Sequence, residues 1–133
     1  MLSKFSLATA VLAAGLAGCS PYAYEPPKGY VKFAELAPGY PVFAPGLGTV
    51  YVEPDNRPLG PYRSYDHNGK LVATIYMVPV TELKPELKLI SDETAPKVDH
   101  WQIHYVQQMH GIIGPHYHIT LWHVPADYAA SLK

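Results

Sequence analysis

The stretch Leu71–Val78, which reads LVATIYMV, is almost wholly apolar over eight consecutive residues. A strand that is buried on both faces has such a continuous run, so we expect it to lie in the centre of a sheet. The run Tyr62–Asp66 precedes it, and Asn68-Gly69 lies between the two. Both central residues of a type I′ turn need a positive φ, which Asn-Gly accepts readily. The two runs therefore predict an antiparallel hairpin with a type I′ turn.

Further strand and helix signals lie on both sides of this hairpin. Three more runs have the composition of strands: Thr49–Val52, about Asp99–Gln108 and His116–Val124. Thr81–Ile90 has leucines at i, i+4 spacing and predicts a short helix, in which Pro85 allows only a first-turn position or a break. A helical turn is expected between Pro125 and Leu132. The pattern predicts an α+β, β-rich domain, with a small, mainly antiparallel sheet and one or two short helices.

The composition excludes several classes of protein. Hydrophobic residues are 48% and charged residues 16% of the 133 residues, which is typical of one globular domain. Ten Lys and Arg nearly balance eleven Asp and Glu, so we expect no nucleic-acid partner. The single cysteine excludes an intrachain disulfide and a zinc site built on several thiolates.

The N-terminus has the pattern of an export signal. Lys4 precedes the short apolar run Phe5–Ala17, which is too short for a permanent transmembrane helix. The sequence Leu16-Ala17-Gly18-Cys19 resembles the lipobox of bacterial lipoproteins. The resemblance implies cleavage before Cys19, lipid attachment at that residue and, because Ser20 follows, sorting to the outer membrane. An ordinary signal peptide with a chance cysteine is the alternative.

We therefore divide the chain into three parts. Residues 1–18 are the signal peptide, residues 19–45 form a Pro-rich tether and arm, and residues 46–133 form a β-rich periplasmic domain. Nine of the fourteen prolines lie between Pro21 and Pro61, which favours a semi-extended tether. The expected location is the periplasmic face of the outer membrane, and the membrane is the expected partner through the lipid at Cys19.

Six of the seven histidines lie within residues 100–123 and are the candidate functional residues. Strand alternation gives each of the last two strands a histidine-bearing face and a largely apolar face, which we expect to pack on the core. If the strands pair, His104 approaches His116 or His118, with His110 in the connecting loop. Neutral imidazoles bind zinc and copper. The predicted ligands are His116, His118, His104, His100 and His110, with Asp99 or Asp66 as hydrogen-bond acceptors for their rings.

The other two histidines have different expected roles. His123 lies on the apolar face by alternation, so we expect a packed core histidine. His67 adjoins the Asn-Gly turn and is expected to be exposed.

Three resemblances involve the last predicted strand. Gly114-Pro115-His116-Tyr117-His118 resembles the cupin metal motif, although too few residues follow for the remaining cupin strands. His118-Ile119-Thr120-Leu121 resembles half of a two-histidine phosphoesterase site, which requires a second His-x-Thr. Residues 59–132 are similar to an uncharacterised family of secreted bacterial domains ending in a Pro-His-Phe-Asp-x-His-Phe-Tyr-like strand. Here His118 replaces the Asp, and that resemblance implies no activity.

Three functions therefore remain open for a lipid-anchored protein. The leading hypothesis is binding of a transition metal, zinc or copper, through the histidine cluster. A non-enzymatic interaction module with hydrogen-bonded histidines and a protein partner in the envelope is the first alternative. A small metal-dependent enzyme is the second, although the chain lacks a Gly-x-Ser-x-Gly elbow, a phosphate loop and a dinucleotide fingerprint.

Overall fold

A computed structural model describes residues 25–108 and 113–133. Its six strands are β1 (Val31–Lys32), β2 (Thr49–Val52), β3 (Tyr62–Tyr65), β4 (Leu71–Pro79), β5 (His100–Val106) and β6 (His116–Trp122). They form one antiparallel sheet in the order β1-β2-β3-β4-β6-β5. Two short helices, α1 (Phe33–Leu36) and α2 (Ala126–Ala130), complete the fold. This confirms the expected small, β-rich α+β class.

Strand β4 lies in the interior of the sheet, between β3 and β6. Residues 71–78 are all buried, which accounts for the continuous apolar run. The hairpin of β3 and β4 is confirmed, but its turn differs from the type I′ expectation. Gly69 N–H donates to the carbonyl of Asp66 at 3.1 Å, and Gly69 has φ +78°. His67 and Asn68 are therefore the central residues of the turn, and Gly69, with its positive φ, is the last residue of a three-residue hairpin loop.

The main hydrophobic core covers one face of the sheet, which we call the core face. Val50, Val52, Tyr62 and Ile75 are on it and pack with Phe33 of α1. Ala129 and Leu132, in and after α2, join the same cluster. The segment 83–98 lies against part of the opposite face, which we call the second face. There Tyr76 donates to the carbonyl of Ile90 at 2.5 Å.

Residues 31–37 also belong to the folded domain. Val31 and Lys32 pair with β2, and Phe33 and Ala37 are fully buried. The fold thus extends into a segment that the sequence pattern assigned to the arm. Residues 1–24, with the signal peptide and Cys19, lie outside the described part of the chain, as does His110. No helix of the described residues is long and apolar enough to cross a membrane.

The expected helix over residues 81–90 was wrong. Only Val80–Glu82 forms a single 3₁₀ turn, and the rest of the segment is a loop. Pro85 has no N–H to donate and lies in the middle of the segment. Leu83, which the helix would have used for packing, is 53% exposed. The terminal helix, in contrast, is confirmed as α2.

Candidate metal site on strands β5 and β6

The register of β5 and β6 brings three of the predicted ligands together. His104 lies directly opposite His118, and His116 lies two residues before His118 on the same face of β6. The ring centroids of His104 and His118 are 4.9 Å apart, and those of His116 and His118 are also 4.9 Å apart. We call these three residues the histidine cluster.

The cluster lies on the core face, which reverses the expected orientation of both strands. His118 is opposite Met77 of β4, and Thr120 is opposite Ile75, so the histidine-bearing face of β6 continues the core. The largely apolar face points the other way and leaves Trp101 and Ile103 of β5 more than half exposed. Alternation identifies which residues share a face, but it does not show which face the rest of the chain covers.

His116 is fully buried and is held in one tautomer. Its Nδ1 lies 2.6 Å from the carbonyl oxygen of Gly114, which can only accept, so Nδ1 carries the hydrogen. In a neutral ring Nε2 then has a free lone pair. The Nε2 atom is buried and has no hydrogen-bond partner among the described residues. Buried polar atoms of native proteins nearly always have a partner, so this atom is exceptional.

His118 has a second buried Nε2 atom without a partner in the described part of the chain. Burial, followed by the proximity of His116 and His104, lowers the pKa of His118 from 6.5 to about 4. The ring is therefore neutral at pH 7 and keeps a lone pair available. His104, on the edge strand, is exposed to solvent.

The other predicted ligands do not join the cluster. His100 shares the face of His104, but four residues of extended strand separate them by about 13 Å. Its Nδ1 lies 2.8 Å from Oδ1 of Asp99, and its ring stacks on Trp122. Asp66 accepts from the backbone N–H groups of the hairpin turn and is not near the cluster. His110 lies outside the described residues.

No group of three His, Cys, Asp or Glu side chains within residues 25–108 and 113–133 is arranged to hold a metal ion. A three-ligand site therefore requires a side chain to move, which the exposed His104 allows, whereas His116 is fixed by burial and by its hydrogen bond to Gly114.

A buried polar network on the second face was not predicted from the sequence. Arg63 donates to both carboxylate oxygens of Asp92, at 3.0 and 2.5 Å, and also to Thr94. The Thr74 hydroxyl lies 3.1 Å from Asp92 and 2.9 Å from Nε2 of His123. Arg63 and Asp92 are 29 residues apart, and no local pattern connects them.

His123 is buried and hydrogen-bonded, as expected for a core histidine. Its Nδ1 lies 3.3 Å from the carbonyl of Lys97, and burial lowers its pKa. His67 is exposed, as expected, and stacks on Phe43 with centroids 3.7 Å apart.

No protein-family model matches the chain, and no curated protein matches it. Among solved structures it is similar to the crystal structure of the hypothetical protein TTHB210 from Thermus thermophilus. The sequences are 35% identical with a TM-score of 0.60, and the match covers 69% of this chain and 91% of the Thermus chain. The chain belongs to the family of that hypothetical protein. The TTHB210 family is consistent with the expected likeness to an uncharacterised bacterial family, while neither the cupin nor the phosphoesterase resemblance is supported by a match.

Proposed function

We propose that the protein binds a transition metal ion through Nε2 of His116 and Nε2 of His118, with His104 as a third ligand. The observation that carries this proposal is the pair of buried Nε2 atoms without hydrogen-bond partners in the described residues. An unsatisfied buried polar atom costs about 1–3 kcal/mol, and a bound ion would offset that cost at both rings.

The ring separation of the pair is compatible with a shared ion. An ion about 2.0–2.1 Å from both Nε2 atoms, at a tetrahedral angle, sets the two ring centroids about 5 Å apart. The observed separation of the His116 and His118 centroids is 4.9 Å. The Gly114 carbonyl holds the His116 ring from behind, which is the usual way a ligating imidazole is oriented.

The ligand chemistry selects the class of metal. The cluster consists of imidazoles alone, and imidazole suits zinc, copper and nickel, whereas calcium and magnesium prefer oxygen ligands. His116 and His118 lie on an interior strand, while His104 lies on the exposed edge strand and gives the ion a route of entry.

Calorimetric titration of the full chain with zinc and with copper(II) tests this proposal. We expect one ion per chain with a dissociation constant in the micromolar range or below, lost in His116→Ala and in His118→Ala and weakened at least tenfold in His104→Ala. The matched control is His100→Gln, which removes an imidazole from the same face of β5 and should bind as the parent does. Circular dichroism checks that each variant is folded.

Absence of binding by the parent chain would overturn the proposal and leave the histidines as structural groups. Equal weakening by His100→Gln and His104→Ala would also overturn it, because it would mean a dispersed, non-specific site.

We further propose that the domain is a lipoprotein anchored at Cys19 on the periplasmic face of the outer membrane. The lipobox pattern of residues 16–19 supports this. Several acyl chains on one residue would anchor the protein firmly. In phase partition with a non-ionic detergent, we expect the parent chain in the detergent phase and Cys19→Ser in the aqueous phase. The same distribution for both would contradict lipid attachment.

A further inference from the structure

The second face of strand β5 carries a stripe of large apolar side chains open to solvent. Trp101 is 65% exposed, Ile103 is 53% exposed and Tyr105 is 49% exposed. These three residues alternate along β5 and therefore point the same way. Their neighbours on β6, Leu121, Ile119 and Tyr117, are their register partners and are half-buried. We call these six residues the β5 stripe, which contains no charged side chain.

The stripe lies beside a free edge of the sheet. β5 is the last strand in the sheet order and pairs only with β6 among the described residues. Proteins usually block exposed edge strands with Lys, with Pro or with inward-pointing charges. The seven residues of β5 contain none of Lys, Arg, Asp, Glu or Pro, whereas the opposite edge, β1, is two residues long and includes Lys32. Within the part of the chain that the structure describes, the edge of β5 is thus unblocked by any of these residues.

The order of residues along β5 shows what fits this edge. On either side of Ile103 there is a polar residue, Gln102 or His104, and beyond each of these an aromatic residue, Trp101 or Tyr105. The pattern aromatic–polar–Ile–polar–aromatic reads the same in both directions. A two-fold interface requires such self-complementarity, because the same patch supplies both partners.

We propose that β5 pairs antiparallel with β5 of a second copy of this chain, about a two-fold axis at Ile103. Ile103 then faces Ile103 of the second copy, and Trp101 faces Tyr105 of the second copy. A shift of one residue would place Gln102 and His104 against the stripe, so the apolar pattern specifies the register. The continuous sheet then has twelve strands, twice the six that the described residues of one chain form.

The available area sets the expected strength of the pair. Aromatic side chains bury about 150–250 Å² each when covered completely. With Trp101 65% and Tyr105 49% exposed, the stripe offers less than the roughly 800 Å² per partner of a standard interface. Main-chain hydrogen bonds along the edge add to this contact. We therefore expect a weak dimer that dissociates on dilution.

The pairing does not depend on the proposed metal site, but the two are adjacent. On the core face the same register places Gln102 of the second copy opposite His104. The side-chain amide of that residue would be the nearest group contributed by the second copy to the histidine cluster.

Disulfide trapping with the full chain tests the register. In Ile103→Cys the two thiols lie directly opposite each other, at a Cβ separation of about 4.5–5.5 Å. We expect a covalent dimer of this variant on non-reducing gels after mild oxidation. The control Val42→Cys places a thiol on another exposed apolar residue, 60% exposed, far from β5 in the chain. It should give no more dimer than the parent chain, which carries only Cys19.

Sedimentation in a density-matched non-ionic detergent tests the association itself. The parent chain should have twice the monomer mass at about 100 μM. Ile103→Lys should remain a monomer, because the two-fold axis at residue 103 would bring the two lysine ammonium groups together. Val42→Lys should dimerise like the parent. A parent chain that stays monomeric at 100 μM, or an Ile103→Lys variant that still dimerises, would overturn the proposal.

Discussion

Acid should destabilise this protein through His118, in metal-free buffer. The folded state holds the pKa of His118 at about 4, against 6.5 in the unfolded chain. Between these two pH values the unfolded state binds the extra proton and the folded state does not. The contribution of this pKa difference to the free energy of unfolding is therefore fully present above pH 6.5 and is lost as the pH falls towards 4.

The size of the effect follows from the two pKa values. A difference from 6.5 to about 4 corresponds to at most about 3 kcal/mol. His118 is only half-buried, and water screens part of its interaction with the histidines beside it. We therefore expect a loss of about 1–2 kcal/mol in the free energy of unfolding between pH 7.5 and pH 4.5 that belongs to this residue.

Urea unfolding followed by tryptophan fluorescence measures this loss directly. His118→Leu removes the titrating ring and its unpartnered Nε2, so its stability should fall less steeply with acid than that of the parent. His100→Gln, which removes a histidine outside the cluster, should keep the steep dependence of the parent. The reasoning would be refuted if the parent and His118→Leu lost the same free energy between the two pH values.

Three further results are expected. Asp92→Ala should lower the free energy of unfolding by about 3 kcal/mol in urea titrations, because it leaves the buried guanidinium of Arg63 without its ion-pair partner; a loss below about 1 kcal/mol would contradict that role. Gly48→Ala should be more destabilising than Gly46→Ala in thermal melts. Both glycines have positive φ, but a Cβ at residue 48 would lie 2.4 Å from the carbonyl oxygen of Tyr65, whereas a Cβ at residue 46 would meet nothing within 4 Å. Equal melting temperatures for these two variants would contradict the steric argument. Zinc at a hundred times its dissociation constant should stabilise the parent by about 2.7 kcal/mol, reversibly on chelation and not in His118→Ala.

The comparison of strands and loops shows which sequence signals are reliable here. The run Leu71–Val78 predicted a central strand correctly, because only an interior strand can bury so many consecutive apolar side chains. The spacing of Leu83 and Leu87 predicted a helix wrongly. An amphipathic helix is stabilised mainly by packing its apolar side on the core, and this segment does not bury its leucines in that way. Pro85 was the more informative residue of that segment.

The candidate site was predicted in part. Alternation correctly placed His104, His116 and His118 on one face, because neighbouring strands in an antiparallel sheet share their pleat. It also grouped His100 with them, although four residues of extended strand already separate His100 from His104 by about 13 Å. It also did not show that this face continues the core, which is the reason the pKa of His118 is low.

By itself, the sequence determined the class of fold, the central strand, the hairpin and the set of histidines that share a face. All of these depend on periodicity or on turn chemistry within a few residues. Only the tertiary structure decided which face of β6 is buried, which leaves the apolar side of β5 in solvent. It also decided that Arg63 meets Asp92 and that residues 31–37 join the sheet. Each of these contacts joins residues far apart in the chain, and burial depends on what the rest of the chain covers.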